Sequence, residues 1–207
     1  PQTCGGFNPA YHRPLLKGSP PRMAGQIQMK KSNSKEKATC AITAPQVVVF
    51  SGSRRLSPIY RPLVQRMVEA VKADGRIILV GCANGADAFV REAAPAAKVF
   101  QAVNYGEGPG SFARRSIAMV TRAATRPGSG LIVFPGLPCP EGLLPSNRPV
   151  ACFCGLGSGS WASAALAAGL GLSVVIFPCG FSALPPWGEW RPAGSGVWSG
   201  GFLLKKQ

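Results

Sequence analysis

The chain has 207 residues, of which 46% are hydrophobic and 15% are charged, and its net charge is +15. This length suits one domain with extensions, and the apolar fraction is sufficient for a real core, which excludes a wholly disordered chain. A basic protein attracts phosphates and nucleic acids non-specifically, although a charge surplus that only maintains solubility has the same composition. Residues 46–180 hold thirteen basic and six acidic residues, so the excess is not confined to a tail.

The cysteines and the single histidine argue against a metal site. The seven cysteines are odd in number, no two have the CxxC spacing, and His12 lies near the N-terminus. A zinc site needs ligands at defined spacing, so we expect no metal and interpret the cysteines as free thiols in a reducing cytoplasm.

No apolar run reaches the ~18–20 residues of a membrane span. The start of the chain lacks the order of a signal peptide, and we predict a cytoplasmic protein without a membrane partner.

The predicted elements alternate between strands and helices from residue 46 to residue 180. In chain order they are a strand over 47–50, a helix over 57–74, a strand over 76–80, a helix over 86–97, a strand over 98–103, a helix over 111–126, a strand over 130–134, an irregular stretch over 135–157 that includes a short strand over 150–154, a helix over 158–170 and a strand over 173–177. This alternation predicts a Rossmann-like three-layer α/β domain with a mainly parallel sheet of about five strands.

Irregular segments flank this domain. Residues 1–45 are rich in Pro, Gly, Ser and Lys without periodicity, and we predict a basic, disordered N-terminal segment. Residues 181–207 carry Trp187, Trp190 and Trp198 among Gly, Pro and Ser. This Trp/Gly/Pro-rich tail is either a stacking surface for single-stranded nucleic acid or a segment that packs on the domain or frays.

The first two strands are each followed by a loop of small residues. The first loop is Ser51-Gly52-Ser53-Arg54, with Arg55 next to it, and the second runs from Gly81 through Gly85 and Ala86 to Asp87. Glycine lets a backbone approach a phosphate, and the exposed N–H groups of the following helix favour an anion. Ordinary strand-to-helix turns have similar sequences, and Asp87 is either a structural carboxylate at a helix start or a hydrogen-bond partner for a ribose.

The helix over 111–126 carries Arg114, Arg115 and Ser116 near its start. At 100° per residue, Arg115, Arg122 and Arg126 fall on one side of the helix, and no acidic residue on the helix can pair with them. We expect an arginine face opposite an apolar face. The arginines are either solvated or contact a polyanion, with Arg122 and Arg126 as candidate nucleic-acid contacts.

The glycines and serines at 157–160 are the clearest anion-site signal in the chain. Gly157, Ser158, Gly159 and Ser160 precede an Ala-rich helix, whose first turn offers free N–H groups. The stretch is not a P-loop, because no Gly-Lys-Ser/Thr follows.

Taken in this order, the four features resemble the Rossmann-like superfamily shared by DNA-processing protein A (the Smf protein) and the cytokinin-activating phosphoribohydrolases. The resemblance covers about residues 47–178 and is closest to a compact member of the DNA-processing branch. It implies that the loops at Ser51–Arg54, Gly81–Asp87 and Gly157–Ser160, together with Arg114 and Arg115, face a nucleotide or a phosphate.

The two branches of this superfamily differ in activity. The DNA-processing branch binds single-stranded DNA and a recombinase, whereas the phosphoribohydrolase branch uses the Glu of Pro-Gly-Gly-x-Gly-Thr-x-x-Glu to cleave the base from a nucleoside monophosphate. Here Phe134-Pro135-Gly136 resembles the opening of that motif, but Leu137 replaces its second Gly and Ser163 stands in the place of the Glu. A hydroxyl cannot replace that carboxylate in catalysis.

We therefore predict a non-catalytic protein that binds a nucleotide or single-stranded nucleic acid. One alternative is a nucleoside monophosphate phosphoribohydrolase in which Glu141 or Asp87 replaces the missing carboxylate. Another is a sensor of a nucleotide-derived signal. The predicted partners are a nucleotide, single-stranded nucleic acid or a second copy of the chain in a homodimer, and a bound nucleotide is the one cofactor considered.

Overall fold

The computed structural model describes residues 47–108 and 110–205, so the predicted N-terminal segment 1–45 lies outside the described residues. Seven strands form one sheet in these ranges. They are β1 (Val47–Gly52), β2 (Ile77–Gly81), β3 (Lys98–Phe100), β4 (Gly130–Phe134), β5 (Ser173–Ile176), β6 (Trp190–Pro192) and β7 (Phe202–Leu204).

Five helices accompany the strands in the described part of the chain. They are α1 (Arg61–Ala73), α2 (Ala86–Ala93), α3 (Gly110–Ala124), the single turn α4 (Pro149–Cys152) and α5 (Gly159–Gly169), together with short 3-10 turns at Pro58–Tyr60, Ala102–Tyr105 and Gly196–Trp198. None of the helices in these ranges is both long enough and apolar enough to cross a bilayer.

The sheet has the strand order β3-β2-β1-β4-β5-β7-β6, and its first five strands are parallel. Val49 of β1 lies opposite Leu79 on one side and Leu131 on the other. The chain moves outward from β1 to β3 and then returns to β4 on the opposite side of β1. The strand order therefore reverses between β1 and β4, which is where ligands bind in open α/β sheets.

The sheet is the middle of three layers, because successive residues of β1 face opposite sides. Val48 and Phe50 pack with the helices α1 and α2, while Val47 and Val49 pack with α3 and α5. All four side chains are buried, as expected for a central parallel strand that reads as a continuous apolar run. The predicted Rossmann-like three-layer architecture is confirmed.

The C-terminal part of the chain differs from its prediction as an irregular tail. Strand β7 pairs antiparallel with β5, and β6 pairs antiparallel with β7, so the sheet has seven strands rather than about five. Trp187 and Trp198 are buried and Trp190 is half-buried. Strands of three residues are too short to show an alternating pattern, which explains why the sequence did not reveal them.

The short strand predicted over 150–154 is also wrong. Pro149–Cys152 forms one helical turn, with Pro149 in the first-turn position that suits its fixed φ. Val150 is 69% exposed while Cys152 is buried. A short apolar run has the same composition in a strand and in a helical turn, so composition alone could not separate them.

Candidate functional site

A cleft of about 1030 Å³ lies at the carboxyl ends of β1, β2 and β4, where the strand order reverses. The first turns of α3 and α5 close its other side. Twelve of the residues predicted from the sequence line it: Ser51, Gly52, Ser53, Arg54, Asp87, Arg115, Ser116, Gly136, Gly157, Ser158, Gly159 and Ser160.

The first loop is held in place through Ser53. Its N–H donates to the carbonyl of Phe134 at 2.9 Å, and its own carbonyl accepts from Ala86 at 3.1 Å. A Cβ on Gly52 would lie 2.5 Å from the Cβ of Ala86, so only glycine fits there. Ala86 therefore supports the loop from behind and does not line the cleft.

A buried ion pair joins the second loop to α3. Arg115 Nη1 donates to Asp87 Oδ2 at 2.8 Å, and both side chains are only 6% exposed. The same carboxylate oxygen accepts from the N–H of Ala83 at 3.3 Å. Burial raises the pKa of Asp87 above its ordinary value, and the guanidinium of Arg115 opposes this shift. Asp87 lies in the first turn of α2 and orients Arg115, a contact that was not among its predicted roles.

Gly81 and Gly85 are near the cleft but do not line it. A Cβ on Gly81 would lie 1.0 Å from Arg115 Nη1, so the missing side chain leaves the space that the guanidinium fills. Gly85 has φ +68°, in the region that favours glycine, and packs against the carbonyl of Ser53. Arg91 of α2 donates to the carbonyls of Gly81 and Ala83 at 2.6 and 2.9 Å and so fixes the loop.

The predicted arginine face of α3 is wrong. Arg115 is buried on the side of the helix that includes Met119 and Ala123, whereas Arg122 is exposed and Arg126 is half-buried. The predicted angle of Arg115 around the helix was correct. Its side chain is nevertheless buried, because the guanidinium fills the space beside Gly81. Neither Arg122 nor Arg126 lines the cleft.

Arg114 points away from the cleft. Its Nε donates to the carbonyl of Tyr105 at 2.5 Å, and its Nη2 donates to the carbonyl of Glu107 at 3.1 Å. Arg114 therefore fixes the loop before α3, and its place in the fold does not match the phosphate-facing position that the resemblance implied.

The start of α5 presents open backbone to the cleft. No side chain caps this helix, and Ser158 Oγ lies 2.7 Å from Ser160 Oγ instead. Among the described residues, no atom outside the helix lies within 4 Å of the position where a Cβ on Gly159 would stand. The first-turn N–H groups of a helix favour an anion at such a position.

The lining carries more positive than negative charge. Arg54, Arg55 and Arg115 are its cations, and Asp87 is the one carboxylate among the described lining residues. Glu141 is exposed and does not line the cleft, and Ser163 is buried with its hydroxyl bonded to the carbonyl of Gly159 at 2.7 Å. Neither is placed to act on a ligand in the cleft.

The remaining groups of the lining include two thiols, those of Cys82 and Cys152. Burial raises the pKa of the Cys152 thiol, which disfavours the nucleophilic thiolate. In 47–108 and 110–205, no group of three potential metal ligands comes together. The cleft offers an anion three guanidinium groups and the first-turn N–H groups of α5.

Several lining residues were not among the predicted site residues. Phe112 lies near two guanidinium groups, with the Cζ atoms of Arg54 and Arg115 at 5.2 and 5.8 Å from its ring centroid. Cys152 and Phe153 reach the cleft from α4 and the residue after it. Phe112 lies in the first turn of α3, three positions before Arg115. This spacing was the one feature of the sequence that indicated a contact between the ring and the guanidinium.

The fold and the cleft define a Rossmann-like protein with a cleft at its topological switch point, whose lining holds three cations and one carboxylate among the described residues. No protein-family profile matches the chain, and no curated protein matches it. A solved structure of DNA processing protein A from Helicobacter pylori, described for its single-stranded DNA binding mode, is similar with a TM-score of 0.46 and 18% sequence identity. The match covers 66% of each chain, just under two thirds. A similarity of this degree says nothing about the residues of the cleft, and the resemblance to phosphoribohydrolases stays a prediction.

Proposed function

We propose that the cleft binds a phosphate-bearing ligand, either a nucleotide or a segment of single-stranded nucleic acid. The observation that carries this proposal is the imbalance of charge in the lining. Arg54 and Arg55 are exposed and pair with no described carboxylate, while the one lining carboxylate, Asp87, is held by Arg115. A concave site with one sign of charge attracts and concentrates ligands of the opposite sign.

Arg115 adds a buried donor to this imbalance. Its Nε is buried and has no hydrogen-bond partner among the described residues. Most buried polar groups have a partner, so an unpartnered one in a cleft wall indicates a ligand or water that would complete it. The planar guanidinium suits phosphate oxygens, and Asp87 fixes its orientation before any ligand arrives.

Two helix starts support the same ligand class. Phe112 and Ala113 in the first turn of α3 line the cleft together with Ser158, Gly159 and Ser160 at the start of α5. The positive ends of both helix dipoles therefore act on the same volume. The half-buried ring of Phe112 offers an apolar surface for a base next to these phosphate donors.

Binding of a fluorescent oligothymidylate, followed by anisotropy over a salt series, tests the proposal. We expect affinity to fall steeply with salt, by about 0.7 in the logarithmic slope for each phosphate neutralised on a single strand. Arg54→Gln should weaken binding about tenfold and lower the slope by about that increment, since a hydrogen bond to a charged group contributes ~1.5–3 kcal/mol.

Arg191→Gln is the matched control. Arg191 is exposed on β6 at the far edge of the sheet, and its substitution removes the same charge as Arg54→Gln. Equal losses for the two variants would reduce the effect to net charge. Binding that is absent at low ionic strength for both the oligothymidylate and nucleoside monophosphates would refute the proposal. Chromatography of the same incubations tests the predicted hydrolase alternative, for which release of free base is the sign.

A further inference from the structure

A second, smaller cavity lies beside the edge strand β3, outside the cleft. Its volume is about 410 Å³, and it is lined on one side by β3 and the turn after it and on the other side by α3. The side chains that carry its chemistry are Lys98, Phe100, Gln101, Asn104, Tyr105 and Arg122. We call it the β3 groove.

The β3 groove combines aromatic rings with cations. The rings of Phe100 and Tyr105 stack with centroids 6.4 Å apart and an angle of 13°, and Lys98 Nζ lies 6.0 Å from the centroid of Phe100. Both rings are half-buried, so part of each ring surface is open to the groove. An aromatic surface next to a cation is the combination on which single-stranded nucleic acids stack their bases and pair their phosphates.

The two cations of the groove are free of acidic partners. Lys98 and Arg122 are exposed, and neither forms an ion pair with a carboxylate of the described chain. No carboxylate lines the groove either. Gln101 and Asn104 add amide groups that both donate and accept hydrogen bonds, which is what the edge of an unpaired base requires.

The walls of the groove are fixed by contacts to the cleft side of the molecule. Cys82, which lines the cleft, accepts a hydrogen bond at its Sγ from the N–H of Ala102 at 3.1 Å. Arg114 holds the carbonyl of Tyr105 on the other side of the same turn. The aromatic pair is therefore positioned by the residues that neighbour the cleft, so the β3 groove is a preformed surface.

One helix carries residues of both sites. Arg115 lines the cleft and Arg122 lines the β3 groove, and seven residues of α3 separate them by about 10 Å along the helix axis. Seven residues also return to nearly the same angle around the helix. About three nucleotides of a stacked strand cover this distance, at ~3.4 Å for each nucleotide.

We infer that the β3 groove is a second subsite for the ligand of the cleft, taking the base and phosphate of a nucleotide further along the same single strand. This inference rests on the proposed function of the cleft. It makes the ligand an oligonucleotide instead of a single nucleotide, since a mononucleotide cannot reach both sites.

Two probes separate the inference from the proposed function: thymidine monophosphate, which fits the cleft alone, and an oligothymidylate of ~12 nucleotides, which is within the usual site sizes for single strands. We expect the oligothymidylate to bind at least about tenfold more tightly per molecule. Lys98→Gln with Arg122→Gln should remove most of that advantage, lower the salt slope by about 1.4 and leave monophosphate binding within about twofold.

Tyr105→Leu tests the stacking surface without changing charge. Loss of one base–aromatic stack corresponds to a drop of about fivefold or more in oligothymidylate affinity. Arg191→Gln should leave both affinities unchanged, and circular dichroism of each variant verifies that it is folded.

The outcomes divide cleanly between the two proposals. Monophosphate binding to the cleft with no gain for the oligothymidylate, or an oligothymidylate affinity that the groove variants do not change, overturns the inference and leaves the proposed function standing. Absence of binding for both probes overturns both proposals. A folded double variant that loses both affinities equally also overturns the inference, because the groove would then not act separately from the cleft.

Discussion

The two helical layers on either side of the sheet differ in how their positive charge is compensated. On the α1/α2 side, Arg61 pairs with Glu92, Lys72 pairs with Glu69, and Arg76 at the start of β2 pairs with Asp74 after α1. On the other side, α3 carries three arginines and no acid, and α5 carries no charged residue. Arg115, the one arginine of α3 with an acidic partner in the described chain, takes it from α2.

This difference leaves Arg122 uncompensated beside the β3 groove, whereas the unpaired cations of the cleft, Arg54 and Arg55, follow β1. In the α1/α2 layer, Glu69, Asp74 and Glu92 each pair with a cation of the same side. Arg66 and Arg91 form no ion pair in the described chain and donate to backbone carbonyls instead. The α3/α5 layer leaves Arg122 exposed beside the groove and directs Arg115 into the cleft. A net charge of +15 is therefore less informative than the positions at which no acid accompanies the cations.

The largest expected effect comes from breaking the ion pair that links the two layers, the one such pair in the described part of the chain. Asp87→Ala leaves Arg115 buried without its carboxylate, and removal of one partner of a buried pair typically destabilises a protein by about 3–5 kcal/mol. Urea unfolding measures this loss. The double variant Asp87→Leu/Arg115→Met should recover most of it, because well-packed apolar side chains often replace a buried pair without loss. If Asp87→Ala is as stable as the wild type, the prediction is wrong, because Arg115 then finds another partner.

A second prediction concerns the space that Gly81 leaves for Arg115. Gly81→Ala places a Cβ 1.0 Å from the present position of Arg115 Nη1, so the guanidinium must move. We expect a loss of about 1–3 kcal/mol in the free energy of unfolding and weaker ligand binding. Gly159→Ala is the control for unfolding only, because its Cβ would meet no described neighbour within 4 Å and should leave the free energy of unfolding unchanged or higher. Equal effects at both glycines would refute the steric argument.

The sequence could predict the five parallel strands and the four longer helices because these follow from short-range rules. The apolar run at 47–50 is a buried parallel strand, and the carboxyl ends of neighbouring parallel strands meet at one edge. In the structure the loops at Ser51, Asp87, Gly136 and Gly157 line one cleft.

The depth of each side chain could not be predicted in the same way. Helical periodicity gives the angle of Arg115 on α3, but its burial depends on the missing Cβ of Gly81 in another element. The tie between Arg91 and the second loop and the fixing of the turn by Arg114 are likewise contacts between a side chain and a distant backbone carbonyl. Such contacts leave no pattern in the sequence, because carbonyls are present at every residue.

A third prediction tests the paired layer directly. Glu92→Gln removes the partner of Arg61, and both side chains are nearly half exposed. We expect a loss of about 0.2–1 kcal/mol in urea unfolding, and the loss should shrink as salt is added. Arg61→Gln should cost more than Glu92→Gln, because the Arg61 guanidinium also lies 4.6 Å from the ring centroid of Phe89. A larger loss for Glu92→Gln than for Asp87→Ala would contradict the expectation that the buried pair Asp87–Arg115 stabilises the protein more than the exposed pair Arg61–Glu92.

The smallest expected effect on stability comes from giving α3 the acid that it lacks. Ala118→Glu puts a carboxylate four residues before Arg122, and such a pair stabilises a helix by about 0.2–0.5 kcal/mol. Because Ala118 lines the β3 groove, the introduced carboxylate should also weaken oligonucleotide binding, which anisotropy measures. Thr121→Glu changes the net charge equally but does not line the groove, and its carboxylate does not face Arg122. If the two variants weaken binding equally, total charge governs the interaction; if only Ala118→Glu does so, the position of the unpaired arginine governs it.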